Sequence, residues 1–78
     1  MLTKYISEAM KKAHYEFIQN KEFYGEIPVC KGVWATADTL EECREKLQEV
    51  LEDWILFKLQ DNDSLPIIEG IELTSKAA

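Results

Sequence analysis

The amino-acid sequence predicts an α+β domain in which a three-stranded antiparallel meander packs against one long helix. Three observations predict it: apolar residues open the chain at a helical spacing, two aromatic-rich runs then alternate with a period of two, and a longer helical pattern follows a third extended run. A short apolar run closes the chain. We therefore expect the order β-β-β-α-β with an extra N-terminal helix, arranged in two layers around one core.

The first element is an amphipathic helix over residues 2–13. Its apolar side chains recur at i, i+3, i+4, i+7, i+8 and i+11, and they are Leu2, Tyr5, Ile6, Ala9, Met10 and Ala13. The charged residues of this segment fall outside that stripe, so we expect one face of the helix to be buried.

Three extended runs follow. "HYEFIQ" and "FYGEI" alternate on either side of the polar "NKE", which is typical of a β-hairpin. Gly25 inside the second run predicts a bulge or a close backbone approach, and Pro28 ends that strand. In the third run, "VWATAD", the small residues Ala35 and Ala37 would let a helix approach one face, which leaves Trp34 on the other.

The long helix begins after Thr39 and ends near Gln60. Thr39 and Glu42 have the spacing of a capping box, in which the Thr39 hydroxyl accepts a hydrogen bond from the Glu42 amide. The predicted core stripe consists of Leu40, Cys43, Leu47, Val50, Leu51, Trp54 and Ile55.

The chain closes with "LPIIEGIEL", in which Leu65, Ile67 and Ile68 predict a short last strand. Pro66 restricts that strand to an edge or to its first residues. We expect residues 1–78 to form a single domain, with a core unit over 14–69 and a tail over 70–78.

A core this small needs further stabilisation. A chain of 78 residues buries only about 60% of its unfolded surface, and small domains usually add a disulfide, a metal or an oligomer. The absence of a secretory leader favours a reducing, cytoplasmic location, where Cys30, in a loop, and Cys43, on the long helix, would stay free. His14 and the two cysteines lack the spacing of a zinc site. We expect no cofactor, and self-association into a dimer or higher oligomer.

The net charge limits the classes of partner. Fifteen acidic residues against nine basic ones give a net charge of −6, which disfavours direct binding to nucleic acid. No segment approaches the roughly 18 apolar residues of a membrane span. The acidity is compatible with a basic protein partner, or simply with solubility.

The ordered set of these segments resembles the HicB-like antitoxin family. "HYEFIQNKEFYGEIP", "GVWATADTLEECREKLQEVLEDWILFKLQ" and "LPII" follow the family order of aromatic hairpin, proline, small-residue strand, D-T-L-E-E helix start and L-P. The resemblance covers residues 14–69, with the helix start at residues 38–42 and the L-P at Leu65 and Pro66.

The resemblance implies a truncated ribonuclease-H-like fold and a role. Full-length relatives neutralise a small basic toxin that cleaves messenger RNA, and they often carry a second, DNA-binding domain. This sequence adds the N-terminal helix and leaves no room for a DNA-binding domain before Ala78. The expected partners are therefore a small basic HicA-like toxin and the chain itself.

Two other functions are alternatives. One is a metal-dependent nuclease on a reduced ribonuclease-H-like scaffold, which would need converging carboxylates. Glu16 and Glu26 are the acids of the strands, but each alternates out of phase with its aromatic neighbours and should face solvent. His14 has no paired nucleophile in the sequence, so we expect no enzyme. The other alternative is an orphan oligomeric adaptor.

Two surfaces are candidates for binding. Acidic residues follow one side of the long helix and are either a solvated face or the docking face for a basic partner; they are Glu41, Glu45, Glu49, Glu52 and Asp53. The helix then ends apolar on nearly every side. The candidate oligomer interface consists of Trp34, Trp54, Leu56, Phe57 and Leu59. A twofold dimer is the favoured cover for the helix end. The N-terminal helix is the alternative cover, there and over Trp34.

Overall fold

The computed structural model describes residues 2–19 and 21–73. These residues form helix α1 (Leu2–Lys11), strands β1 (His14–Ile18), β2 (Glu22–Glu26) and β3 (Trp34–Ala37), and helix α2 (Leu40–Gln60). The predicted α+β class, with its order of helix, three strands and long helix, is confirmed. Part of the predicted tail, residues 74–78, lies outside the described residues.

The three strands form an antiparallel meander in the order β1-β2-β3. The register places Tyr15 opposite Gly25 and Gly25 opposite Ala35. Because side chains alternate between the two faces of a sheet, these residues share one face, and α2 packs across it against β2 and β3.

Gly25 lies where α2 comes closest to the sheet. A Cβ atom at this position would lie 2.9 Å from Cδ1 of Tyr15 and 3.2 Å from Sγ of Cys43. The register runs through Gly25 without an extra residue, so the structure has no bulge here. Of the two predicted roles of this glycine, the close approach is confirmed.

Helix α2 begins as the sequence predicts. The backbone N–H of Glu42 donates to Oγ1 of Thr39 at 3.1 Å, and that hydroxyl donates to Oε1 of Glu42 at 3.3 Å. The fully buried stripe consists of Cys43, Leu47, Leu51 and Ile55. The prediction that Leu40 joins this stripe is wrong. Leu40 is exposed, because it is the first helical residue and borders an open cleft between the two helices.

Helix α1 packs along α2 and contacts the chain's last described segment. Tyr5 and Ala9 are buried in the core. The Tyr5 hydroxyl donates to the carbonyl oxygen of Pro66 at 2.6 Å, and Lys12 pairs with Glu69 at 2.8 Å just beyond the helix. The N-terminal helix therefore becomes part of the same core as the strands.

The last segment packs into the core without joining the sheet. Leu65, Ile68 and Ile71 are buried, but Ile68 and Ile71 form only an isolated bridge with each other. Within residues 2–19 and 21–73 the sheet has three strands, so the predicted short last strand is not formed. Pro66 has no N–H to donate, and its carbonyl already accepts from Tyr5.

Candidate functional site

The sheet presents an open face on the side opposite α2. The pairs His14–Glu26, Glu16–Tyr24 and Ile18–Glu22 share that face, and Trp34 and Thr36 continue it on β3. None of these side chains is buried, and 54% of Trp34 is exposed. The prediction that Trp34 points away from α2 is confirmed, and the alternative that α1 buries it is wrong.

An aromatic pair joins strands β2 and β3 on the open face. The rings of Tyr24 and Trp34 stack with their centroids 6.1 Å apart and their planes at 25°. The Tyr24 hydroxyl donates to Oε2 of Glu26 at 3.3 Å. Its pKa is raised above the usual range, first by loss of hydration and then by the negative charges of Glu26 and Glu16. The aromatic pair therefore lies within the field of two carboxylates.

The acidic residues of α2 form a solvent-exposed ladder. Glu41, Glu45, Glu49, Glu52 and Asp53 are all exposed. Gln48 donates to Glu52 at 3.1 Å. The ion pairs found among the residues the structure describes are Lys11–Glu8, Lys12–Glu69 and Lys58–Asp63. None of them neutralises a carboxylate of this acidic ladder.

The apolar end of α2 divides into covered and uncovered side chains. Leu56 and Phe57 are exposed over 55% and 66% of their surface. Trp54 and Leu59 are half-buried against the core, and the Lys58 ammonium lies 5.6 Å from the centroid of the Trp54 ring. Three of the five predicted interface residues are thus free for contact, and two already contribute to the fold.

Helix α1 covers one side of this apolar end only. A groove of about 360 Å³ remains between the helices, and its apolar lining consists of Leu2, Ile6, Ile55, Leu56 and Leu59. Leu2 is itself about half exposed. The alternative cover, by the N-terminal helix, is therefore only partial, and the exposed leucines continue the apolar surface around the groove.

The comparisons with known proteins place the chain in a family. The model of the UPF0150-like family matches residues 4–66, which is most of the chain. This chain belongs to the UPF0150-like family. It is also similar to TTHA0281 from Thermus thermophilus, whose crystal structure aligns with a TM-score of 0.87 at 46% sequence identity, over 92% of this chain and 90% of that one. No curated protein matches it.

The two cysteines of the UPF0150-like chain are core residues. The predicted loop at Cys30 is present, and the turn from Ile27 to Val33 folds the Cys30 thiol inward, where it is fully buried. Burial raises the pKa of Cys30 to about 11. Cys43 donates to the carbonyl oxygen of Ala35 at 3.5 Å, and burial raises its pKa as well. Both thiols are therefore poor nucleophiles in the folded chain.

The structure also tests whether the UPF0150-like chain gathers ligand residues. Across the part of the chain that the structure describes, no group of three or more His, Cys, Asp or Glu could hold a metal ion. Glu16 and Glu26 are exposed on the open face, as the alternation of their strands predicts. None of the helices described is both long enough and apolar enough to cross a bilayer.

Sequence reasoning places Trp34 correctly but misses its neighbours. Alternation assigns Tyr24 to the face opposite Phe23, yet its stacking on Trp34 depends on the register between β2 and β3. The register follows from the length of the turn over residues 27–33, which no local pattern fixes. The pairing of Glu26 with Trp34 on neighbouring strands of this UPF0150-like chain is therefore visible only in the folded structure.

Proposed function

We propose that the chain is an HicB-like antitoxin-type protein-binding module, which associates with itself and neutralises a small basic toxin that cleaves messenger RNA. The observation that carries the proposal is the acidic ladder of α2, whose carboxylates extend into solvent without a cationic partner in the described chain. The resemblance over residues 14–69 supplies the toxin as the class of partner.

Electrostatic competition with RNA is the mechanism by which the chain would neutralise the toxin. A protein that grips RNA must present cations to the phosphate backbone. An acidic ladder placed over those cations would exclude RNA by occupying its site and by reversing the local potential, and complementary charge would also speed association. The net charge of −6 acts in the same direction over longer distances.

Self-association would use the apolar end of α2. Leu56 and Phe57 are more than half exposed, and Leu2 and Leu59 continue the apolar surface along the groove beside α1. Contact between two copies would remove this surface from water, with about 25 cal/mol gained for each Å² of apolar area buried. Because a core this small contributes little stability by itself, the contact between copies would add stability to the fold.

We also infer that the chain is not an enzyme. Its strand carboxylates Glu16 and Glu26 face solvent on the open sheet face, and Glu26 accepts a hydrogen bond from Tyr24. Catalysis by two metal ions needs carboxylates that converge on one point in a shaped, dry site. Incubation of the chain with RNA in magnesium should leave the RNA intact, and cleavage that is lost in Glu16→Ala would contradict this inference.

The test of the antitoxin role uses the protein encoded beside this chain's gene. If that neighbour is a short basic protein, we expect it to co-purify with this chain, and its RNA cleavage should stop in the complex. Glu49→Lys should weaken the complex, because it replaces an attractive charge on the acidic ladder by a repulsive one. Glu72→Lys is the control, since it changes the net charge equally at an exposed position away from α2.

Affinity is measured by titration calorimetry at two salt concentrations. The proposal expects a loss for Glu49→Lys that shrinks as salt rises, and a near-native affinity for Glu72→Lys. Failure of any neighbouring protein to bind the chain, or binding that leaves its RNA cleavage unchanged, would contradict the antitoxin role.

A further inference from the structure

We propose that the open face of the sheet binds an arginine side chain of a basic partner protein, with Trp34 and Tyr24 as the stacking surface and Glu16 and Glu26 as the counter-charges. This inference rests on the proposed function, for which it names a second contact surface. It also reassigns Trp34, which the sequence alone places in the interface between two copies of the chain.

The proposed arginine site contains residues of all three strands, which the strand pairing places side by side. One row across the sheet reads His14, Glu26 and Trp34, and the next reads Glu16, Tyr24 and Thr36. Side chains directly opposite one another on neighbouring strands lie about 4.5–5.5 Å apart at their Cβ atoms. A carboxylate therefore neighbours each ring of the aromatic pair, Glu26 beside Trp34 and Glu16 beside Tyr24.

The aromatic pair has the geometry that a guanidinium group requires. The two rings stack with their planes inclined by only 25°, and more than half of Trp34 is open to solvent, so the exposed part of the Trp34 indole offers a flat surface backed by the Tyr24 ring. A planar guanidinium stacks on such a surface and donates from its edge to carboxylates, whereas an ammonium group is more strongly hydrated and has no plane to stack. Arginine is therefore favoured over lysine.

The electrostatic setting of this face is acidic. Glu16, Glu22 and Glu26 lie on it, and His14 is its only basic side chain among the paired residues of the described strands. The pKa of the Tyr24 hydroxyl is raised by loss of hydration and then by the negative charges of Glu26 and Glu16, in keeping with the position of both carboxylates next to this ring. A cation stacked on Trp34 would meet the face of the indole ring and lie near two opposite charges.

The same charges disfavour a second copy of this chain as the occupant. Stacking two open faces would bring Glu16, Glu22 and Glu26 of both copies together, and buried like charges are costly. No lysine or arginine of the described strands lies on this face to relieve them. At the end of α2 the exposed side chains of Leu56 and Phe57 are uncharged, with Glu52 and Asp53 beside them in the groove, so we assign self-association to that end and not to the open face.

A peptide titration followed by nuclear magnetic resonance tests the site directly. The probe is an acetylated, amidated peptide of alternating glycine and arginine, and the control probe replaces each arginine by the neutral citrulline. We expect the arginine peptide to shift the indole N–H signal of Trp34 and the amide signals of β2 and β3. The indole signal of Trp54, on α2, should stay in place, and the citrulline peptide should shift neither.

Matched variants distinguish binding at the open face from nonspecific attraction of the arginine peptide to an acidic protein. Trp34→Ala should weaken binding of the arginine peptide by about three- to thirtyfold, as expected for loss of a cation–π contact, and Phe57→Ala, another exposed aromatic, should not. Glu26→Gln should weaken binding more than Glu49→Gln, although both remove one charge. Circular dichroism of each variant verifies the fold.

Three results would overturn the inference. They are equal binding of the citrulline peptide, no binding of the arginine peptide, and shifts confined to the acidic ladder of α2. The last result leaves the proposed function in place, since a basic partner would then dock on the helix alone. Conversely, binding at Trp34 without any complex with the neighbouring protein would keep the arginine site and remove the antitoxin role.

Discussion

At the scale of the residue, Tyr5 shows how single side chains close this fold. Its ring is fully buried, and its hydroxyl donates to the carbonyl oxygen of Pro66 at 2.6 Å. One side chain thus joins the first helix to the last packed segment. The helical stripe predicts that Tyr5 is buried, but its partner lies 61 residues away, and no local pattern could indicate it.

Because of Tyr5, the free energy of unfolding should fall as the pH becomes alkaline. Burial raises its pKa from 10.0 to about 12, so its contribution is complete below pH 10 and is lost as the pH rises towards 12. Tyr5→Phe should cost about 1 kcal/mol of unfolding free energy at pH 8, through the lost hydrogen bond. The gap between the variant and the wild type should narrow at pH 11.

Urea unfolding at the two pH values measures this gap. Both proteins carry Cys30→Ala in this comparison, because burial raises the pKa of Cys30 to about 11, within the same range, and the charge of its thiolate raises the pKa of Tyr5. A gap that stays constant from pH 8 to pH 11 would show that the Tyr5 hydroxyl is not held in its neutral form by the fold.

At the scale of the element, the close packing of α2 on the sheet determines how the core side chains are arranged. The small residues Gly25 and Ala35 face one another across β2 and β3, and Cys43 of α2 packs over them. The sequence predicts this approach from the same small residues. It is the contact on which the placement of both α2 surfaces depends.

Gly25→Ala tests that contact. The added methyl would lie 2.9 Å from the Tyr15 ring and 3.2 Å from the Cys43 sulfur, so the ring or the helix must move. We expect a loss of about 1–3 kcal/mol, as for other overpacked cores, measured by thermal or urea unfolding. Thr36→Ala on the open face is the control and should change stability little. A Gly25→Ala protein as stable as the wild type would contradict the close approach.

Most elements are predictable because their signals are local. The capping box at Thr39 and Glu42 marks the start of α2, and alternation marks β1 and β2. The last segment is not predictable, because "LPII" has the apolar character of a strand but packs into the core without pairing with the sheet, and its Pro66 carbonyl accepts from the distant Tyr5. Whether Leu40 is buried depends on where α1 lies, which is again a tertiary matter.

At the scale of the whole molecule, three exposed surfaces of the described chain are proposed to bind other proteins. The open sheet face lies opposite α2, whereas the acidic ladder and the apolar end both belong to α2, and Glu52 and Asp53 of the ladder line the groove beside that end. The sequence predicts the ladder and the helix end because both follow from helical spacing alone. It cannot predict the open face as a site, since Trp34, Tyr24, Glu16 and Glu26 meet only through the pairing of three strands.

The proposed self-association is tested at the apolar end of α2. Leu56→Asp should shift the protein towards the mass of a single chain, because it places a charge in the proposed contact between copies. Lys46→Asp, at an exposed position nearer the start of α2, should leave the mass unchanged. Sedimentation equilibrium measures both, and a dimer that persists in a folded Leu56→Asp protein would move the interface elsewhere.

Light scattering of the purified chain, alone and then mixed with the protein encoded beside it, tests most directly whether this is a protein-binding module. We predict at least twice the mass of one chain for the protein alone, and a further rise in mass on mixing. A folded protein with the mass of a single chain under both conditions would contradict the account.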